Sequence, residues 1–340
     1  MSSSSASLHC PVEISHQLSN LLHAVYECEY TEVEWLPWVC CSDTVENAIV
    51  WEDTLVLQGA KLLDIYAEGL QLFNKFRRHL MNVSFVGDSK LWDSLSRFLL
   101  FIQPSHSTCW NFRKFLVQHH HAPYLMELKV SEIALKRDAK ASEAWHHRKW
   151  LLSQHVQVLL SRDDLLVREL ELCRLLGNRF EKCYHLWYYR WWLVQRYLEM
   201  LPNDLLSQEY ETTSKEAIRQ HVTDHGTYFY RQKLLLYLLK QAKEKDRCYQ
   251  LLRSEWTWIQ SIAKMADHSF ESFISYARFI YCCCDGWLDK SNIHQQSLID
   301  DIYKTLQWHT VENRRETCIT LLSKMSQQLR QYNEDVSYKQ

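Results

Sequence analysis

Apolar residues fall in stripes along this chain, and the stripes come in pairs separated by short polar breaks. Over Tyr124–Lys136 the apolar positions Leu125, Leu128, Ile133 and Leu135 follow a helical spacing. A polar break follows at 137–142, with Ser142 placed to cap a second helix that reads to about Val158. The pattern returns at Asp163–Leu176, where Leu166, Leu170 and Cys173 lie at i, i+4 and i+7. Gly177-Asn178 fits the end of that helix, and its partner reads from about Lys182 to Glu199, with Pro202 just beyond. Another break falls at Thr223-Asp224-His225-Gly226. Asp246–Met265 with Ser269–Cys283, then 292–307 with 311–330, read as two further pairs. Residues 12–85 also read as helical, with Trp35, Trp38 and Trp51 expected to pack on the first repeat, and residues 1–10 read as a disordered tail. The expected organisation is one α-helical repeat domain over 11–340, clearest over 90–285.

The second member of each pair carries a motif. Trp-x-x-Arg occurs at Trp110/Arg113, Trp145/Arg148 and Trp187/Arg190, and a fourth copy, Tyr228/Arg231, has tyrosine for tryptophan. Successive arginines are 35, 42 and 41 residues apart. A degenerate fifth copy is read at Phe273–Arg278. Units of this length with two helices each are α-solenoid units. Residues at i and i+3 share one helix face. A buried indole supplies contact area between stacked pairs, and a guanidinium can stack on a neighbouring ring and bond carbonyls at adjacent helix ends. The motif is therefore expected to pin each unit to the next. The run Glu143-Ala144-Trp145-His146-His147-Arg148-Lys149-Trp150 invites a metal or acid–base reading. Yet His146 and His147 fill the two positions that hold Asn111-Phe112, Tyr188-Tyr189 and Phe229-Tyr230 in the sister units, so packing or hydrogen bonding is expected of both.

Composition sharpens this picture. Six glycines and five prolines among 340 residues compare with roughly 40 at average usage. Few turns can be made from so few, which favours long helices with short connections. A net charge of −2 leaves no strongly basic footprint, so no nucleic-acid partner is expected. No apolar run is long enough to span a bilayer, and the start lacks the pattern of a signal peptide, so the expected compartment is the cytosol. The twelve cysteines include contiguous runs but no Cys-x-x-Cys pair, and they read as small buried hydrophobes, not metal ligands or disulfides. His119-His120-His121 reads as a solvated helix end, because adjacent helical residues point about 100° apart and cannot converge on one ion.

At its repeats the chain resembles the α subunits of protein prenyltransferases. That family's unit is a helix, a turn of the type Pro-Lys-Asn-Tyr, then Trp-x-x-Arg in a second helix, and the likeness covers about residues 90–285. The resemblance implies an all-α fold, a right-handed crescent of antiparallel helix pairs wrapped around a barrel-shaped β subunit. It implies that zinc and the isoprenoid pocket belong to that partner, with the Rab geranylgeranyltransferase type as one candidate, and no cofactor on this chain. Prenyl diphosphate and a protein with a C-terminal cysteine would be the substrates. By the same likeness Lys140, five residues before Trp145, and His185, two before Trp187, would assist the departing diphosphate, and Tyr184 would line the isoprenoid edge. The turns depart from the family: Ala141 and Ser142 stand for its Asn and Tyr, and Cys183 for its Asn. Two readings follow. One is an α subunit, inactive alone, of a heterodimeric enzyme transferring a geranylgeranyl group to a cysteine. The other is a non-catalytic repeat adaptor that binds a β subunit or a Rab-like protein. An independent enzyme is not supported, since no phosphate-cradling glycine loop and no His-Glu-x-x-His occur.

Overall fold

The computed structural model describes residues 14–27, 29–36, 48–59, 61–82, 89–154, 163–197, 203–242, 244–265 and 271–309. The expected tail at 1–10 and the expected helix at 311–330 lie outside them. Helices dominate the described residues. The chain falls into two compact units, residues 1–172 and 173–340.

In the first unit, helix pairs stack in chain order. They are α3 (Ser89–Ile102) with α4 (Ser107–Gln118), and α5 (Tyr124–Arg137) with α6 (Ser142–Gln154). α3 packs on α5 and α4 on α6, so first helices meet first helices and second helices meet second helices. Two earlier helices, α1 (His16–Glu27) and α2 (Leu62–Asn82), cover α3. Phe98, Leu99, Leu100 and Phe101 of α3 are buried on every side, which is why this helix reads as an unbroken apolar run.

Residues 12–85 are not all helical. β1 (Glu32–Leu36), β2 (Ala48–Trp51) and β3 (Thr54–Gln58) form a small sheet of order β1-β3-β2. β1 runs parallel to β3, and β2 and β3 form an antiparallel hairpin turning on left-handed Glu52 (φ 55°). The period-two alternation of Glu32-Val33-Glu34-Trp35 is the sequence signal of a strand. Leu55 and Leu57 carry the buried face of β3, and β1 lies against α5. The expected packing of Trp35, Trp38 and Trp51 concerns side chains outside the described set.

α7 (Asp163–Arg179) spans the boundary between the units. In the second unit, α8 (Tyr184–Tyr197), α11 (His225–Gln241) and α13 (Glu271–Trp287) are the second helices, and they stack in that order. Their partners are α9 (Asn203–Gln208), continued through a π turn at Glu209–Thr213 into α10 (Ser214–Gln220), then α12 (Lys245–Met265) and α14 (Ile293–His309).

Local signals explain most boundaries. α11 starts where Asp224 accepts the Gly226 N–H at 2.8 Å. α4 ends at exposed His119 and left-handed His120, a solvated end as expected. Two cap assignments are corrected. Ser142 is the first helical residue of α6, and its hydroxyl donates to Glu143. Gly177 does not end α7, which runs on to Arg179. A Cβ there would lie 3.2 Å from Trp187 Cζ2, so this glycine makes room for the indole of the next helix.

Candidate functional site

Each second helix brings its motif into the seam with the neighbouring pair. Trp110 and Trp145 are both about 2 % exposed. Each donates its indole N–H to a carbonyl six residues upstream, Pro104 O at 2.7 Å and Ala139 O at 2.8 Å. The buried indole N–H of Trp187 finds no partner among the described residues, and its turn contains left-handed Lys182 (φ 57°). Three of the motif rings then meet the next second helix at the position just before its motif arginine. Trp110 lies 4.6 Å from the His147 ring and Trp187 lies 5.6 Å from Tyr230. Tyr228 lies 5.4 Å from Tyr276. This geometry aligns Tyr276 with His147 and Tyr230, so Ala277 takes the arginine position in the fifth unit. The degenerate fifth motif ending at Arg278 is therefore corrected by one residue.

The arginines are buried, and their main partner is a carboxylate that the motif does not contain. Arg113 grips Glu127 with Nε at 2.8 Å and Nη2 at 2.5 Å. Arg148 holds Glu169 at 2.7 and 2.6 Å, and Arg190 holds Glu209 at 2.8 and 2.6 Å. Arg231 holds Glu255 at 2.6 and 2.5 Å. The fork of a guanidinium matches a carboxylate in this bidentate way. The remaining nitrogen binds the preceding first helix: Arg148 Nη1 donates to Leu128 O at 2.7 Å and Ser131 Oγ at 2.9 Å. Arg231 Nη1 does the same with Tyr210 O at 2.6 Å and Ser214 Oγ at 2.8 Å. These carbonyls sit within helices, not at the helix ends expected from the sequence. Arg231 is also sandwiched between the Tyr210 and Trp258 rings, each 4.2 Å from its Cζ.

A third partner completes three of the seams. His147 Nε2 lies 2.7 Å from Glu127 Oε1, and Tyr276 donates to Glu255 at 2.6 Å. Tyr230 donates to Glu209, and Tyr210 also donates to Glu255. Burial alone would raise the Glu127 carboxyl, but Arg113 and the hydrogen bonds from His147 and Arg113 bring it down to about 2. Burial and the adjacent carboxylates push the Tyr230 and Tyr276 hydroxyls well above their ordinary 10. The two histidines of the opening run thus separate: His147 is buried on Glu127, whereas His146 is exposed.

The residues singled out by resemblance lie in the turns and on the open face. Lys140 is exposed, in the turn between α5 and α6, and its backbone N–H donates to Asp138 Oδ1 at 2.9 Å. Ala141 beside it is buried, as is Cys183 in the third turn. Tyr184, 51 % exposed, opens α8, and half-buried His185 lies next to it with ring centroids 5.8 Å apart. Two rings that the sequence reading did not assign to a site join them. Tyr188 stacks on Tyr184 at 6.3 Å, and Phe229 lies 5.6 Å from Tyr184 with Lys233 Nζ 5.2 Å above it. Tyr188 and Phe229 occupy the first x of their motifs, the position that faces away from the seam. This cluster offers aromatic faces and an imidazole, while Lys140, in the first unit, offers a cation. Among the described residues no group of three or more His, Cys, Asp or Glu could hold a metal ion, and no helix is long and apolar enough to cross a membrane.

The repeat geometry agrees with comparisons to known proteins. The family profile described as protein prenyltransferase alpha subunit repeat matches residues 124–155 and 166–197. The chain is 33 % identical over 165 residues to protein prenyltransferase alpha subunit repeat-containing protein 1-B of Xenopus laevis, covering 44 % of this chain and 38 % of that protein. It is 31 % identical over 160 residues to protein prenyltransferase alpha subunit repeat-containing protein 1 of Homo sapiens, covering 42 % and 39 %. It is 44 % identical over 71 residues to geranylgeranyl transferase type-2 subunit alpha 1 of Arabidopsis thaliana, covering 18 % and 10 %. The chain thus spans about two fifths of the length of the first two relatives.

Proposed function

We propose that this chain, which carries protein prenyltransferase alpha-subunit repeats, is the α subunit of a cytosolic heterodimeric enzyme transferring a geranylgeranyl group to a cysteine of a substrate protein. The observation that carries the reading is the repeat itself, each motif buried in a seam while Lys140 in its turn and Tyr184 at the start of α8 stay exposed. A β subunit, of the Rab geranylgeranyltransferase type, would hold the zinc and the isoprenoid. Zinc bound there would supply a cysteine thiolate as nucleophile. This chain's part is electrostatic. Lys140 and His185 would place a cation and an N–H beside the diphosphate oxygens, where negative charge grows as the carbon–oxygen bond breaks. Tyr184 would present its ring to the isoprenoid edge.

The test is reconstitution with candidate β subunits and radiolabelled geranylgeranyl diphosphate. The chain alone should transfer nothing, and the complex should transfer. Lys140→Ala in the complex should lower kcat by about 10²-fold, the cost of removing one such stabilising group. Unchanged turnover would remove Lys140 from the chemistry. A second reading has an observation in its favour: Ala141 and Cys183 are buried apolar groups where the resembling family places asparagine. In that reading the chain is an adaptor, and the complex forms without prenyl transfer to any candidate protein.

A further inference from the structure

The seams described above share one plan but differ at one side chain. Glu209 and Glu255 receive their third hydrogen bond from tyrosines, Tyr230 and Tyr276, whereas Glu127 receives it from His147. A phenol on a buried carboxylate keeps its proton throughout the neutral and acid range, since burial and the carboxylate both push its pKa up. An imidazole has an ordinary pKa near 6.5.

The surroundings of His147 decide which form the seam accepts. The ring is fully buried. Its Nε2 faces Glu127 Oε1 at 2.7 Å, and an ionised carboxylate can only accept, so Nε2 carries the proton. Its Nδ1 is buried and has no partner among the described residues. A bare lone pair there is tolerated, but a second N–H would be a buried donor with no acceptor. The charges around it are already matched. Glu127 on α5 is held by Arg113 on α4, and Arg113 also meets Asp93 on α3 at 2.9 Å. Asp93 in turn holds Arg97 on α3 at 2.5 Å. Lys114 on α4 adds further positive charge near the ring, Trp110 covers one side at 4.6 Å, and Trp150 on α6 lies 5.6 Å away. A charged imidazolium would therefore bring an unmatched charge into the seam.

We propose that the α4–α6 seam is an acid-sensitive joint, closed by neutral His147 and loosened when Nδ1 takes a proton, while the tyrosine seams stay closed. The electrostatics point the same way. Burial, with Arg113 and Lys114, outweighs the attraction of Glu127 and holds the imidazole below its ordinary 6.5. The unfolded chain then binds this proton more readily than the folded chain. The stabilisation is fully present above about 6.5 and is lost as pH falls below it.

The experiment uses the full chain with ¹⁵N-labelled histidine, titrated from pH 7.5 to 5.5 together with amide-exchange protection of α6. His147→Tyr installs the group that the sister seams use, and His146→Gln controls for the exposed neighbour. Wild type and His146→Gln should lose α6 protection below about pH 6.5, by up to tenfold per pH unit, while His147→Tyr stays level. Parallel loss in all three proteins would overturn the proposal. If His147→Tyr does not fold, the wild-type ring decides. A neutral ring with N–H at Nε2 that persists below pH 6.5, and is lost together with α6 protection, supports the joint. Titration at the ordinary value with protection unchanged overturns it.

Discussion

A single glutamate ties three partners together in these seams. Glu255 accepts from Arg231, Tyr210 and Tyr276 and is about 1 % exposed. Burial alone would raise its carboxyl, but Arg231 and the two hydroxyls hold it below the ordinary value. Removing one partner of such a pair leaves a charge uncompensated. Arg231→Met is therefore expected to cost about 3–5 kcal/mol by urea unfolding. Arg231→Met combined with Glu255→Leu should recover much of that loss, because the stranded charge is gone. A double variant no more stable than the single one would show that the pair contributes more than its desolvation costs. Trp145→Ala should lose about 3–5 kcal/mol, since a fully buried indole and its bond to Ala139 O go together. Glu127 sets a pH limit of its own. Its folded pKa of about 2 lies below the ordinary 4.5, so its stabilisation is complete above 4.5 and lost between 4.5 and about 2. Loss at Glu127 begins only below 4.5, whereas loss at His147 begins near 6.5, so the two onsets are separable in an acid titration followed by far-UV circular dichroism.

Between elements, what matters is how closely second helices approach. A Cβ on Gly226 would fall 2.6 Å from Trp187 Cδ1, a rigid ring atom, and 3.1 Å from Asp224 Oδ1, the oxygen that caps the helix. Gly226→Ala should cost about 1–3 kcal/mol through overpacking. Gly177→Ala meets the same indole at 3.2 Å inside α7, where alanine also gains about 1 kcal/mol of helix propensity, so a smaller change is expected. Equal losses in thermal melts would contradict the contact geometry. A spacing rule links first to second helices. Ser96, Ser131 and Ser214 each lie 17 residues before the arginine they bind. Cys173 stands 17 residues before Arg190. Cys173→Ser restores the hydroxyl of the sister seams and should change stability by no more than about 1 kcal/mol, measured by urea midpoint.

At the scale of the whole chain, the first and last motif copies differ chemically from those between them. In the first, Phe112 holds the position of His147 and Tyr230, cannot bond a carboxylate, and packs edge-on against Phe73 of α2 at 5.4 Å. In the last, Ala277 replaces the arginine and is fully buried. Repeat arrays need terminal units that differ in this way, because an inner unit left at the end exposes a bonding surface. Ala277→Arg should therefore destabilise the second unit by about 3 kcal/mol or more, a buried charge without a carboxylate to meet it. A neutral effect in urea unfolding would mean that a partner carboxylate is within reach.

Much of this was open to reading from residue order alone. The helical class, the pairing, the four motif copies and the burial of their rings follow from periodicity, scarce glycine and proline, and a recurring Trp-x-x-Arg, all of them local or regularly spaced signals. The serine 17 residues before three of the four arginines was equally legible, although its meaning needs the fold. The carboxylates were not. Glu127, Glu169, Glu209 and Glu255 follow their arginines by 14, 21, 19 and 24 residues, because turn lengths vary between one helix pair and the next. Only the packed chain shows which glutamate reaches each guanidinium, that His147 turns inward while His146 turns out, and that Tyr184, Tyr188 and Phe229 gather on one face. Burial makes those choices, since it selects the polar groups that can be satisfied together, and satisfaction is a property of three-dimensional neighbours, not of spacing along the chain.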